Sequence, residues 1–158
     1  MTRRWILAML IAVIGTFSVT GCSVALTGMM GISAADDHVI AEIVMCNENT
    51  ANGIDMLPQQ GQFFLLPHPS WRFDSEHLPK FDLGSTADFL ELVGDGVKRL
   101  DVSTNNGGVM TPHFEQSTIE SLAEGEILVR SEDSRTSATV SRSEFDQLTT
   151  AFCAENEF

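Results

Sequence analysis

The chain has 158 residues, of which 9 are basic and 22 are acidic, and its formal net charge at pH 7 is −13. This acidity argues against binding to nucleic acid and against direct docking on anionic lipid headgroups, because both attract Lys and Arg. Residues 37–158 are enough for one domain with one hydrophobic core, and not for two.

The N-terminal stretch has the three parts of a secretory signal. Arg3 and Arg4 precede an uncharged, mostly apolar run that begins at Trp5, and small residues precede Cys22. This order is typical of an export signal rather than of part of a fold. We therefore expect the rest of the chain to lie outside the cytoplasm.

The last four residues of this stretch, Val19-Thr20-Gly21-Cys22, resemble a bacterial lipobox. The resemblance covers these four positions alone. It implies that residues 1–21 are removed, that Cys22 carries acyl chains such as palmitate, and that residues 22–36 form a tether. Removing residues 1–21 takes away two of the nine basic residues and none of the 22 acidic ones, which leaves a net charge of −15.

Two other fates of the N-terminal stretch stay open. No charge occurs from Trp5 through Ala35, a run of 31 residues. This exceeds the roughly 20 residues that a spanning helix needs, so the segment would also serve as an uncleaved membrane anchor. Ordinary signal cleavage after Ala25 or after Ala35 would instead release the protein, since small residues precede both positions. All three fates place residues 36–158 outside the cytoplasm.

The remaining cysteines, Cys46 and Cys153, are an even pair if Cys22 carries lipid. In an oxidising compartment we expect them to form a disulfide that ties the first segment of the domain to the last. The alternative, two separately buried thiols, is more typical of a reducing cytosol. Neither residue lies in a CxxC motif, so the sequence gives no support for redox catalysis.

Strand patterns dominate the first half of the domain. The run at 39–46 is rich in β-branched residues, with Glu42 its only charge, and predicts a mostly buried strand. Asn and Gly at 47–55 predict a turn or loop. Further strands are predicted at 62–66 and 71–73.

The second half alternates between helix and strand. Ser85 is placed to cap a helix that ends at Gly94 or Gly96, and the pair Ser141 and Glu144 matches a capping box at the start of a final helix. In that final helix Phe145, Leu148 and Phe152 are predicted to share one face. Strands are predicted at 97–102 and 109–114, joined by a tight reversal at 105–108, and at 126–131 and 136–141, joined as a hairpin.

The order of these elements predicts a small α+β domain, an antiparallel sheet with one or two packed helices and one disulfide. No catalytic residue, metal ligand or cofactor is predicted, because none of the four histidines has zinc-ligand spacing and no serine lies in GxSxG or SxxK. The cluster 36–38 is interpreted as a solvated segment. The stretch 47–55 is rich in oxygen-bearing side chains, as calcium loops are. Its continuation has Gln59 at the position where a calcium loop requires a bidentate Glu, so the stretch is interpreted as an ordinary loop.

The most distinctive segment runs from Phe63 to Trp71, where two prolines stiffen an aromatic-rich sequence. Its candidate partner-binding residues are Phe64, His68, Trp71 and Arg72, of a kind that interfaces favour. The alternative is that Trp71 belongs to the core.

The sequence therefore predicts a lipid-anchored extracytoplasmic protein without catalytic activity, which faces outward at the cell membrane. We expect it to bind another envelope or surface macromolecule and not nucleic acid. The alternatives are a small envelope hydrolase that uses carboxylate and histidine chemistry, and a single-pass membrane-anchored subunit of a larger assembly.

Overall fold

A computed structural model describes residues 25–59, 67–73, 80–131 and 136–156. Within these ranges it contains ten strands and three helices. The strands are β1 (Leu26–Ala35), β2 (His38–Met45), β3 (Ala51–Pro58), β4 (Ser70–Arg72), β5 (Lys80–Ser85), β6 (Lys98–Thr104), β7 (Gly108–Met110), β8 (His113–Phe114), β9 (Glu126–Arg130) and β10 (Ser137–Ser141). The helices are α1 (Thr86–Val93), α2 (Gln116–Glu120) and α3 (Arg142–Glu155).

The strands form two sheets, and the class is the small α+β domain that the sequence predicts. The larger sheet has the order β10-β9-β1-β2-β5, with β7 added beside β1, and the smaller has the order β4-β3-β6-β8. Neighbouring strands are antiparallel except for β1 and β7, which are parallel. The sequence predicts a single sheet, whereas the described strands form two.

Strand β1 lies in the middle of the larger sheet, which corrects the predicted tether at 22–36. It pairs with β2 over eight residue pairs, and with β7 and β9 on its other side. Seven of its ten residues are buried, and Met30 and Ile32 are fully so. The run is apolar because the strand is buried on both faces. The domain thus begins by Leu26 rather than at residue 37.

The hydrophobic core lies between the two sheets. Its largest buried side chains come from both sheets and from the first two helices: Met30, Ile32, Ile54, Phe89, Leu100, Phe114 and Ile119. Helix α3 covers the opposite face of the larger sheet through a second cluster of Met29, Ile127, Val129 and Phe145. Gly31 allows this close approach, since a Cβ there would lie 2.4 Å from Ile127 Cγ2 and 3.1 Å from Phe145 Cε2.

Both predicted helix starts are confirmed. The Ser85 hydroxyl accepts from the Asp88 N–H, and α1 ends at Gly94 with a positive φ of 53°. Ser141 and Glu144 form the capping box of α3. The predicted apolar face of α3 is wrong at Leu148, whose side chain is 39% exposed.

Two other predictions need correction. The predicted loop at 47–55 overlaps β3, a central strand in which Ile54 and Met56 are buried. The prediction was wrong because Asn and Gly residues obscured the alternation of apolar and polar residues in this strand. The predicted return strand at 109–114 is split at Pro112, so that β7 joins the larger sheet and β8 pairs with β6 in the smaller one. Helix α2 was not predicted. The predicted strand at 62–66 lies outside the described residues.

Candidate binding site

The predicted disulfide is present and fixes α3 to the sheet. Cys46 follows the end of β2 and Cys153 lies in the last turn of α3, with Cα atoms 5.2 Å apart and the sulfurs bonded. The bond closes a separation of 107 residues. It therefore joins the first hairpin of the domain to its last helix.

Three of the four predicted partner-binding residues, His68, Trp71 and Arg72, lie among the described residues. Trp71 is half-buried and packs against the core, with its ring centroid 6.4 Å from that of Phe89. Arg72 is exposed and donates to the Asp55 carboxylate at 3.1 Å, and His68 Nε2 lies 3.8 Å from the same carboxylate. Phe64 lies outside the described residues.

The two ligand-like segments of the sequence serve as turns and strands. Asp36 and Asp37, with φ values of 50° and 63°, form the tight turn between β1 and β2. Gly53, the glycine of the calcium-like stretch, lies within β3 and pairs with Arg72 and Ser103. Within the described part of the chain, no group of three or more His, Cys, Asp or Glu side chains is placed to hold a metal ion.

A pocket of about 500 Å³ opens on the outer face of the larger sheet, between β5 and the start of α3. Strands β1, β2 and β5 supply its floor, the loop before β9 supplies one wall, and α3 supplies another. Its polar and charged lining residues are Ser33, Glu42, Lys80, Asp82, Glu124 and Arg142. Ile40 adds an apolar surface to the floor.

Glu42 lies at the bottom of this pocket with its side chain 4% exposed. Both terminal nitrogens of the Arg142 guanidinium donate to its two carboxylate oxygens. The Ser33 hydroxyl donates to Oε1 at 2.7 Å, and Lys80 Nζ lies 3.7 Å from Oε2. A bidentate guanidinium and a hydroxyl together fill most of the hydrogen-bonding capacity of this buried carboxylate.

The electrostatics follow from this pairing. Burial alone would raise the pKa of Glu42, but the hydrogen bonds from Arg142 and Ser33 and the positive charges outweigh it, and the pKa lies below its ordinary value. The bond to Glu42 in turn raises the pKa of Arg142. Both groups therefore stay charged at neutral pH, and Glu42 does not serve as a proton donor there.

A second pair lies beside the pocket. His38 Nδ1 is 2.9 Å from Asp82 Oδ2, and the Gly84 N–H donates to Asp82 Oδ1 at 2.8 Å. The bond and the charge of Asp82 raise the pKa of His38, and the bond from His38 lowers the pKa of Asp82. Both side chains are about half exposed, so water screens this pair far more than it screens Glu42.

Sequence reasoning missed this pocket, although one of its residues was visible. Glu42 is the only charge in an otherwise apolar strand, and a charge in such a position usually has a buried partner. That partner, Arg142, is 100 residues away in the chain. No local spacing connects the two.

Comparison with known protein families, with curated proteins and with solved structures gives no significant match to this chain. None of the helices among the described residues is long and apolar enough to span a bilayer.

Proposed function

We propose that this chain is an extracytoplasmic protein, anchored through a lipid on Cys22, which binds another protein of the cell envelope without catalysing a reaction. The lipobox-like residues at 19–22 support the anchor. The bond between Cys46 and Cys153 supports an oxidising compartment, since structural disulfides persist there. Strand β1 begins four residues after Cys22, so cleavage before that cysteine leaves the whole fold intact.

The observation that carries the binding role is the mutual pairing of Glu42 and Arg142 beneath an open pocket. Because these two groups neutralise each other, the buried pair itself offers no free acid or base for chemistry. Around it, Lys80, Asp82 and Glu124 are exposed charges of both signs beside the apolar side chain of Ile40. Such a mixed rim is complementary to a polypeptide surface that also carries both charges.

Intact mass tests the anchor. The protein purified from its native membranes is expected to lack residues 1–21 and to carry added acyl mass, and Cys22→Ser should abolish both changes. An unmodified full-length mass would contradict the lipid anchor and favour an uncleaved membrane helix. Cleavage after Ala35 is not proposed, because it would remove the central strand β1.

Site-specific photo-crosslinking in cells tests the binding role. A photoreactive amino acid at Glu124, on the pocket wall, is expected to capture one discrete envelope protein. The matched control is the same probe at Glu120, an exposed glutamate on α2 that does not line the pocket. Equal capture at both positions, or none at Glu124, would contradict the pocket as the binding site.

A hydrolase is the second candidate, and one observation favours it. The pair of His38 and Asp82 lies on the same sheet face as the Ser33 hydroxyl, and carboxylate, imidazole and hydroxyl are the groups of many hydrolases. Against this, the Ser33 hydroxyl donates to Glu42. Hydrolysis of ester, peptide or glycoside substrates that is lost in His38→Ala and kept in the control Glu120→Ala would support the hydrolase.

A further inference from the structure

The short link between the proposed anchor and the fold fixes which end of the domain lies nearest the membrane. Only residues 23–25 separate Cys22 from the start of β1. Three residues span at most about 11 Å when fully extended. Ala25 is itself held in place, because its carbonyl accepts from the Gly108 N–H at 2.9 Å. An uncleaved helix ending at the same point would place the domain in the same way.

The end of the domain around Ala25 is built from three chain segments that are bonded together. They are the turn after β2, the turn before β7 and the end of α3. The Cys46 N–H donates to the Thr27 carbonyl at 2.8 Å, and the Thr27 hydroxyl donates to the Asn106 carbonyl at 2.8 Å. The disulfide to Cys153 adds the end of α3. These hydrogen bonds and the disulfide hold the three segments together as one continuous surface.

The composition of this surface differs from that of the rest of the acidic domain. All six asparagines of the chain fall in its segments or directly beside them: Asn47, Asn49, Asn52, Asn105, Asn106 and Asn156. Its exposed carboxylates among the described residues are Glu48 and Glu155. The opposite end carries more exposed carboxylates: Asp36, Asp37, Asp82, Glu124 and Glu144.

We propose that this asparagine-rich end is a membrane-facing surface that rests on the lipid headgroups. The exposed amides of Asn47, Asn52 and Asn106 can hydrogen-bond to phosphate and carbonyl oxygens, whereas those of Asn49 and Asn156 donate to carbonyls within the domain. Neutral side chains also avoid the repulsion that carboxylates would meet at an anionic bilayer. Leu26, which is 38% exposed at the same end, adds an apolar contact. The inference rests on the proposed anchor and adds an orientation to it.

The orientation has a consequence for the pocket. Ser33 lies seven residues beyond Leu26 along β1, which corresponds to about 23 Å at the usual rise of a strand. The pocket with Glu42 and Arg142 is therefore held away from the bilayer, where a partner protein reaches it. A domain lying on its pocket face would bury it against lipid instead.

Depth-dependent quenching tests the orientation. The full-chain protein is placed in vesicles of phosphatidylethanolamine and phosphatidylglycerol that contain a headgroup nitroxide lipid. A bimane label is attached to Asn106→Cys at the proposed membrane-facing end, or to Glu124→Cys at the opposite end. The native Cys46 and Cys153 do not react, because they are bonded to each other, and the lipid on Cys22 blocks its thiol in the proposed anchored form. We expect several-fold stronger quenching at position 106.

Two contrary outcomes of this experiment are distinguishable. Protein that sediments with the vesicles but shows equal quenching at the two positions keeps the anchor and overturns the orientation. Protein that stays in the supernatant overturns both.

With the label at Glu48→Cys, Asn106→Glu should weaken quenching in vesicles with phosphatidylglycerol but not in phosphatidylcholine alone, and an equal effect in both lipids would contradict the charge argument.

Discussion

The replacement Arg142→Gln tests whether the Glu42 pair holds the floor of the pocket. The variant removes both guanidinium hydrogen bonds and leaves the buried carboxylate with the Ser33 hydroxyl and with the Lys80 ammonium at 3.7 Å. Glutamine keeps most of the length of the side chain. The main change is therefore the loss of a positive charge next to a buried negative one.

The magnitude follows from the exposure of each partner. Removing one partner of a buried ion pair typically costs about 3–5 kcal/mol, because the other charge is left buried and uncompensated. Glu42 is 4% exposed, but the Arg142 side chain is 44% exposed, so water reaches the vacated space. We therefore expect a loss of about 2–3 kcal/mol in the free energy of unfolding, below the full cost of a buried pair.

Urea denaturation followed by circular dichroism measures this loss, with Arg72→Gln as a matched control. Arg72 also pairs with a carboxylate, but its side chain is 61% exposed, so we expect a change of only about 0–1 kcal/mol. The double replacement Glu42→Met and Arg142→Met should recover most of the loss, since it removes both charges together.

The loss should also depend on pH. The folded-state pKa of Glu42 lies below its ordinary value of 4.5, so its stabilising contribution is present above that value and disappears as the pH falls through the lowered pKa. The difference between the wild type and Arg142→Gln should therefore narrow in acid. Equal losses for Arg142→Gln and Arg72→Gln, or a difference that does not change with pH, would refute the reasoning.

The remaining predictions concern the rest of the domain. Replacing Cys46 and Cys153 together by Ala should lower the free energy of unfolding by about 2–4 kcal/mol, whereas an unchanged urea midpoint would mean that the disulfide adds no stability. Gly31→Ala should lower the free energy of unfolding by about 1–3 kcal/mol, because the added methyl group overpacks the contact with α3. An unchanged free energy of unfolding would favour the tether interpretation of that segment. NMR titration should show a pKa for His38 above 6.5, and the replacement Asp82→Asn should bring that pKa back towards 6.5. Because the pKa is raised in the folded state, the stabilising effect of the pair is lost as the pH rises through the raised value. The same pKa of His38 in the wild type and in Asp82→Asn would contradict the pairing.

The local features of this protein were readable from the sequence. The caps at Ser85 and Ser141, the hairpin of β9 and β10 and the helical character of α3 depend on residues within a few positions of one another. The disulfide between Cys46 and Cys153 was predictable for a different reason, because the predicted export signal would place the chain in an oxidising compartment, and two cysteines remained besides Cys22.

Only the tertiary structure decided what the apolar residues after Cys22 do. A strand buried on both faces has no alternation, so in sequence β1 is indistinguishable from the end of an export signal. The same limit applies to the pocket. Glu42 and Arg142 meet across 100 residues because β2 lies beneath the start of α3, and a contact of that separation leaves no periodic trace in the sequence. The sequence determines where α1 and α3 begin, through their caps, whereas the pairing of distant segments decides which stretches become buried strands and which charges are buried together.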